Sequence, residues 1–156
     1  MQSSIESRAY LLALLTAVIF CPVARAQSPG LTYMELTPAT LKWTDNPAVK
    51  GVQSAHMIGD PGKPGPFVYR AKFPAGYKTP AHAHLEDRTV TVISGTLYVG
   101  NGDLFDEKKV HALPTGSFYT EPNGVNHFVW AKDGDVVLQV QGTGPVKVKF
   151  VEPAKR

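Results

Sequence analysis

From Phe67 to Val151 apolar and polar residues alternate in short runs. Residues 67–73, 89–94, 96–99, 117–120, 127–130, 136–140 and 146–151 are rich in β-branched and aromatic side chains, and several keep a period of two. That pattern predicts strands with one buried face. Turn residues separate them: Pro74-Ala-Gly76, Gly100-Asn-Gly102, Pro122-Asn-Gly124, Asp133-Gly134 and Gly142-Thr-Gly144-Pro145. Short, evenly spaced strands predict an all-β sandwich or small barrel. Residues 103–112 are charged with a thin apolar face, and read as a loop or single turn.

Residues 27–64 have a different texture. They are polar and rich in Pro and Gly, with strands predicted only at 31–36 and 40–43 and a turn-dense linker at 60–66. The pattern therefore divides the chain into an N-terminal arm, 27–64, and a barrel domain, 65–152. It contains no internal repeat.

The first 26 residues follow another rule. Arg8 precedes an apolar run at 10–20, and Ala24-Arg25-Ala26 forms a small-x-small cleavage site. The run is well short of the ~20 residues of a spanning helix. Residues 1–26 are expected to be a cleaved secretory signal peptide, which sends the mature chain to the periplasm or outside the cell. Cys21, the single cysteine, lies in that leader. The mature chain is then safe in an oxidising compartment but has no disulfide, so a hydrophobic core must hold it.

Composition narrows the classes further. With 156 residues, 43% hydrophobic and 19% charged, the chain is globular and long enough for one domain. A multidomain enzyme, a long coiled coil and a polytopic membrane protein are excluded. The formal net charge is +3 without a basic stripe, so nucleic acid is not an expected partner. No basic amphipathic helix suggests membrane association of the mature form.

The candidate chemistry lies in histidine. His82 and His84 are two apart on an extended segment, so both rings face the same way. Side-by-side neutral imidazoles make half of a transition-metal site, which a third imidazole would complete. Gly76, five residues, His82-Ala-His84 and a later Gly95 form one spaced group. Gly116, five residues, Pro122-Asn-Gly124 and His127 form a second, 20 residues further on.

These two groups resemble the paired motifs of the cupin superfamily in its small single-domain form. The resemblance covers residues 67–151. It implies a double-stranded β-helix, or jelly-roll barrel, with a metal near the barrel mouth. It also implies His82, His84 and His127 as ligands. The implied cofactor is a divalent transition metal: zinc, copper, nickel, iron or manganese.

Two positions depart from the family pattern. Arg88 stands where the resemblance implies a ligand glutamate, and a guanidinium stays protonated and cannot ligate. Ala131 replaces the closing asparagine of the second motif. The fourth ligand is left open. Glu86, with the strand parity of His84, could supply it, as could Asp87 across a bulge. Three histidines with water or substrate could also suffice, and a site without metal remains a further reading.

If Arg88 points inward it must pair with Glu86, Asp87, Glu121 or a bound anion, because a lone buried guanidinium is costly. Arg88 is accordingly a candidate clamp for a substrate carboxylate, or one half of a structural ion pair. Glu86 and Tyr119 are the candidate catalytic residues. Gln139, Gln141, Tyr98 and Lys72 are weaker candidates for cavity contacts. Phe128 and Trp130 are expected to pack behind His127, and His56 and His111 to face solvent. The expected protein is an exported metal-binding cupin acting on a small, anionic or hydroxylated organic molecule, as an oxygenase, lyase or isomerase, and forming a homodimer. The alternative is a non-catalytic ligand-binding or sensor barrel.

Overall fold

The computed structural model describes residues 30–47 and 49–151. The expected signal peptide lies outside the described residues. The barrel unit begins at Thr32.

Among the described residues there is no helix, and strands β1 to β11 make up the fold. They are β1 Thr44–Asp45, β2 Gln53–Ile58, β3 Gly65–Phe73, β4 His82–His84, β5 Arg88–Ser94 and β6 Thr96–Asn101. The remainder are β7 His111–Pro114, β8 Phe118–Glu121, β9 His127–Trp130, β10 Val136–Gly144 and β11 Val148–Phe150. They form two antiparallel sheets, β1-β2-β3-β10-β5-β8 and β11-β4-β9-β6-β7. This is the all-β jelly-roll barrel expected from the two motifs.

Alternation explains the core. On β10, Val136, Leu138 and Val140 are buried while Val137 and Gln139 are half-buried and Gln141 is exposed. Val90 and Val92 on β5, Leu97 and Val99 on β6 and Val129 on β9 meet them, with Phe67 from β3. Arg88 has the parity of Val90 and Val92 and is buried with them. Tyr119 and Glu121 share the inward parity of β8, whereas Phe118 and Thr120 are exposed.

Three sequence expectations need correction. Residues 31–36 and 40–43 form no strands. Instead β2, inside the expected arm, pairs with β3 along the six-stranded sheet. Its sequence, Gln-Ser-Ala-His-Met-Ile, is too polar to announce a strand, yet Ser54 and Ala55 are buried. The expected loop ends in β7, an edge strand paired with β6. Its residues are mostly exposed, so no alternation marked it.

The chain crosses between sheets at corners, and the two motifs lie on them. Residues 85–87 join β4 to β5, and residues 122–126 join β8 to β9. These two corners are stitched together. The Gly124 N–H donates to the His84 carbonyl at 2.8 Å, Asn123 N–H to Asp87 Oδ1 at 2.8 Å, and Asn123 Nδ2 to the Leu85 carbonyl at 2.9 Å. Gly124 adopts φ +76°, a region open to glycine and strained for a side chain. At the β5–β6 crossing Gly95 has φ +79°, and a Cβ there would sit 2.4 Å from the Asp135 carbonyl oxygen.

Candidate metal centre

The histidines meet because β4 and β9 pair. His82 stands directly opposite His127 in the register. The ring centroids lie 4.5 Å apart for His82 and His127, 5.0 Å for His82 and His84, and 5.3 Å for His84 and His127. One ligand atom from each ring falls within 4.8 Å of the others. All three residues are buried, so these three histidines could hold a metal ion.

Backbone carbonyls set the tautomers. His82 Nδ1–H donates to the Pro80 carbonyl at 2.8 Å and His127 Nδ1–H to the Val125 carbonyl at 3.2 Å. Each bond leaves Nε2 with its lone pair, as a metal ligand requires. Burial lowers the pKa of His82, and lowers that of His84 to about 3, with the Arg88 charge adding to the effect on His84. Both rings are therefore neutral at ordinary pH.

The six-stranded sheet supplies the charges. Arg88 on β5 lies opposite Glu121 on β8 in the register. Arg88 Nε donates to Glu121 Oε2 at 2.9 Å, and Nη2 also contacts that oxygen and His84 Nε2. Glu121 Oε2 is 3.6 Å from His84 Nε2, and Oε1 is 3.3 Å from His127 Nε2. Burial favours the protonated Glu121 acid, but Arg88, followed by His127, reverses this and holds the carboxyl well below the usual carboxylate range. A buried carboxylate thus lies beside two of the three histidines.

Glu86 sits behind the cluster. Its Oε1 is 3.9 Å from His84 Nδ1, on the ring edge away from Glu121, and its Oε2 accepts the Lys147 N–H at 3.0 Å. Glu86 Oε1 and His84 Nδ1 are both buried without a hydrogen-bond partner. Parity with His84 brings Glu86 alongside that ring on its Nδ1 side. Asp87 is exposed and serves the corner through Asn123. Tyr119 does reach the cluster, its hydroxyl donating to Glu121 Oε1 at 3.0 Å. Burial, then the Glu121 charge, pushes the Tyr119 pKa well above its usual value.

A cavity of about 630 Å³ opens onto this cluster. His82, His84, His127, Arg88, Glu121 and Tyr119 line it. Gln139 and Gln141 lie on the outward parity of β10, and Gln139 accepts from Arg70 Nε at 3.4 Å. Tyr98 donates to Asp133 at 2.6 Å, and Lys72 pairs with Asp135 at 3.5 Å. His111 is exposed on β7, while His56, also exposed, borders the cavity. Phe128 and Trp130 pack behind β9 against Phe105, with centroids 5.1 and 6.0 Å away.

Sequence reasoning missed Glu121 as a member of the histidine cluster, naming it only as one possible partner of Arg88. The available signal was the strand parity shared with Tyr119, immediately before Pro122. It also missed the cavity wall contributed by Val49, Val52 and Ser54, which belong to the stretch read as an arm.

Comparison with known proteins agrees with the fold. The barrel is similar to the polyketide cyclase RemF from Streptomyces resistomycificus, with a TM-score of 0.64 and 16% identity over 80% of this chain and 89% of that one. It is similar to a sugar phosphate isomerase of the cupin superfamily from Silicibacter pomeroyi, with a TM-score of 0.59 and 18% identity over 77% and 83% of the two chains. KdgF from Halomonas sp. gives a TM-score of 0.56 and 20% identity over 72% and 96%. At such identities the likeness establishes the fold alone. No curated protein matches the sequence. A family model described as a domain of unknown function, DUF4437, matches residues 37–155. The chain belongs to the DUF4437 family.

Proposed function

We propose that this protein is an exported, metal-dependent cupin enzyme. In this reading His82, His84, His127 and Glu121 hold one divalent transition metal, and the cavity takes a small oxygen-bearing organic molecule. One observation carries the reading. Three buried imidazoles lie with ligand atoms within 4.8 Å of each other, and a buried carboxylate lies 3.3 and 3.6 Å from two of them. Imidazole-rich sites with one carboxylate suit zinc, copper, nickel, iron or manganese. Bound there, the metal would act as a Lewis acid or oxygen activator. Barrels of this fold described as a cyclase and an isomerase make an enzymatic reading reasonable by analogy. The leader expected at 1–26 from the sequence supports a periplasmic or secreted location.

The chain's own residues have distinct tasks. The Pro80 and Val125 carbonyls aim His82 and His127. Glu86 places a carboxylate 3.9 Å from the Nδ1 edge of His84, where a modest approach would let it orient that ring. Arg88 keeps Glu121 ionised. Tyr119, with its raised pKa, keeps its proton and acts as a hydrogen-bond donor, not as a base. Because Arg88 is engaged by Glu121, it is not free to clamp a substrate carboxylate.

One observation favours the alternative, a ligand-binding barrel without metal. Arg88 Nη2 contacts His84 Nε2, the lone pair that a metal would need. Elemental analysis separates the two readings. The full chain is expressed with its own leader and purified without chelating resin. The metalloenzyme reading predicts about one transition metal per chain. No metal after soaking with zinc, nickel, copper, iron and manganese would leave the ligand-binding barrel.

A further inference from the structure

We infer that the ligand of this cavity has an apolar, aromatic or alicyclic body and a single oxygen-bearing end, neutral or singly charged, directed at the histidine cluster. The inference deepens the metal-centre reading and rests on it for the role of the oxygen end. It narrows the small, anionic or hydroxylated organic molecule expected from the sequence.

The first argument is the wall. Away from the cluster, Phe73, Val90, Val129, Leu138, Val140 and Val146 line the cavity. Its volume of about 630 Å³ far exceeds what a two- or three-carbon acid needs, and it falls among ordinary sites for larger organic ligands.

The second argument is that most polar groups on this wall, the Tyr77 hydroxyl apart, already have a partner within the protein. Thr79 Oγ1 accepts the Val129 N–H at 2.8 Å, and Ser54 Oγ accepts Asn46 Nδ2 at 2.9 Å. Tyr119 donates to Glu121 at 3.0 Å, and the Tyr69 hydroxyl accepts from Arg88 Nη1 at 3.4 Å. Lys50, His56 and Asp60 border the cavity but are exposed to water. A sugar would therefore bury hydroxyls against carbon, and each unmatched hydroxyl costs about tenfold or more in affinity.

The third argument is charge. Arg88 is balanced by Glu121, and Glu86 adds a further formal negative charge beside His84. Leaving the histidines aside, the guanidinium and two carboxylates sum to one formal negative charge, and a divalent ion makes that sum singly positive. A sugar phosphate or a dicarboxylate brings more negative charge than that, and of the lysines and arginines lining the cavity Arg88 is already paired with Glu121 while Lys50 lies exposed to water at its border.

Calorimetric titration of the zinc-loaded full chain tests the inference with three probes. 2′-Hydroxyacetophenone has an aryl body and a neutral oxygen end. Lactate has the oxygen end without the body, and glucose 6-phosphate is polyhydroxylated and dianionic. The aryl ketone is expected to bind at least tenfold more tightly than either. Val90→Thr, which keeps the side-chain shape, is expected to weaken the aryl ketone severalfold and leave zinc affinity and lactate binding unchanged. Lactate or glucose 6-phosphate binding as tightly as the aryl ketone would overturn the inference, as would a Val90→Thr variant that binds all three probes like the parent. If the chain takes up no zinc, the metal-centre reading fails, and the same ratio measured on the metal-free protein decides the inference.

Discussion

The two sheets of the barrel are built to different standards. In the six-stranded sheet β3 and β10 pair without interruption over nine residues, from Gly65 opposite Gly144 to Phe73 opposite Val136. In the five-stranded sheet β4 has three residues, and its pairing with β9 rests on one facing pair, His82 and His127. The long sheet supplies most of the buried valine and leucine together with the Arg88–Glu121 pair. The short one presents the imidazoles. Cooperative burial stabilises the first, and the second needs only enough pairing to aim three rings. The difference implies that stability and proposed metal affinity are largely separable by mutation.

The largest effect expected on the long sheet is from Arg88→Met, which leaves Glu121 buried without its cation. A loss of about 3–5 kcal/mol in urea unfolding is expected. Adding Glu121→Leu should recover most of it, because removing both charges also removes the desolvation penalty. Leu138→Ala, a cavity in β10, is expected to cost about 2–5 kcal/mol while the folded fraction still binds metal. A small cost for either single change would break the division of labour.

Acid should act through the buried site in the metal-free protein. The His84 pKa of about 3 lies below its usual 6.5, so the unfolded chain takes up that proton first. Its contribution is complete above pH 6.5 and is lost as pH falls from 6.5 to 3. Glu121, held below its usual 4.5, acts in the same direction below that pH. Thermal midpoints should therefore fall on acidification through this window. A flat profile would show that the cluster is not desolvated.

On the short sheet the expected stability effects are small. His82→Ala or His127→Ala should change unfolding by about 1 kcal/mol or less and abolish zinc uptake in a calorimetric titration. Glu86→Gln should leave unfolding unchanged and weaken zinc by roughly tenfold, because His84 Nδ1 would then face a neutral amide. Severe destabilisation in the histidine variants would show that β4 and β9 carry the fold as well.

His82 and His84 were legible in the sequence because a His-x-His pair shares a face by strand alternation, whereas His127 was reached through the resemblance of the Gly116–His127 spacing to a second cupin motif. The need of Arg88 for a partner was legible too, from the cost of a buried cation. Which carboxylate answers it depends on the β5–β8 register, a pairing of residues 33 apart in the chain that no local pattern encodes. Gln139 and Gln141 could have been set aside by their parity against Val136, Leu138 and Val140. Strand β2 was hidden because burial of Ser54 and Ala55 depends on β3 beside them, not on a hydrophobic run.

The central proposal is that imidazoles from one sheet and a carboxylate from the other converge on one metal. X-ray absorption spectroscopy of the zinc-loaded protein and of its Glu121→Gln variant tests this most directly. The account predicts three imidazole nitrogens and one carboxylate oxygen around zinc in the parent, and loss of the carboxylate signature in the variant. Zinc without imidazole scattering, or an unchanged spectrum in the variant, would contradict it.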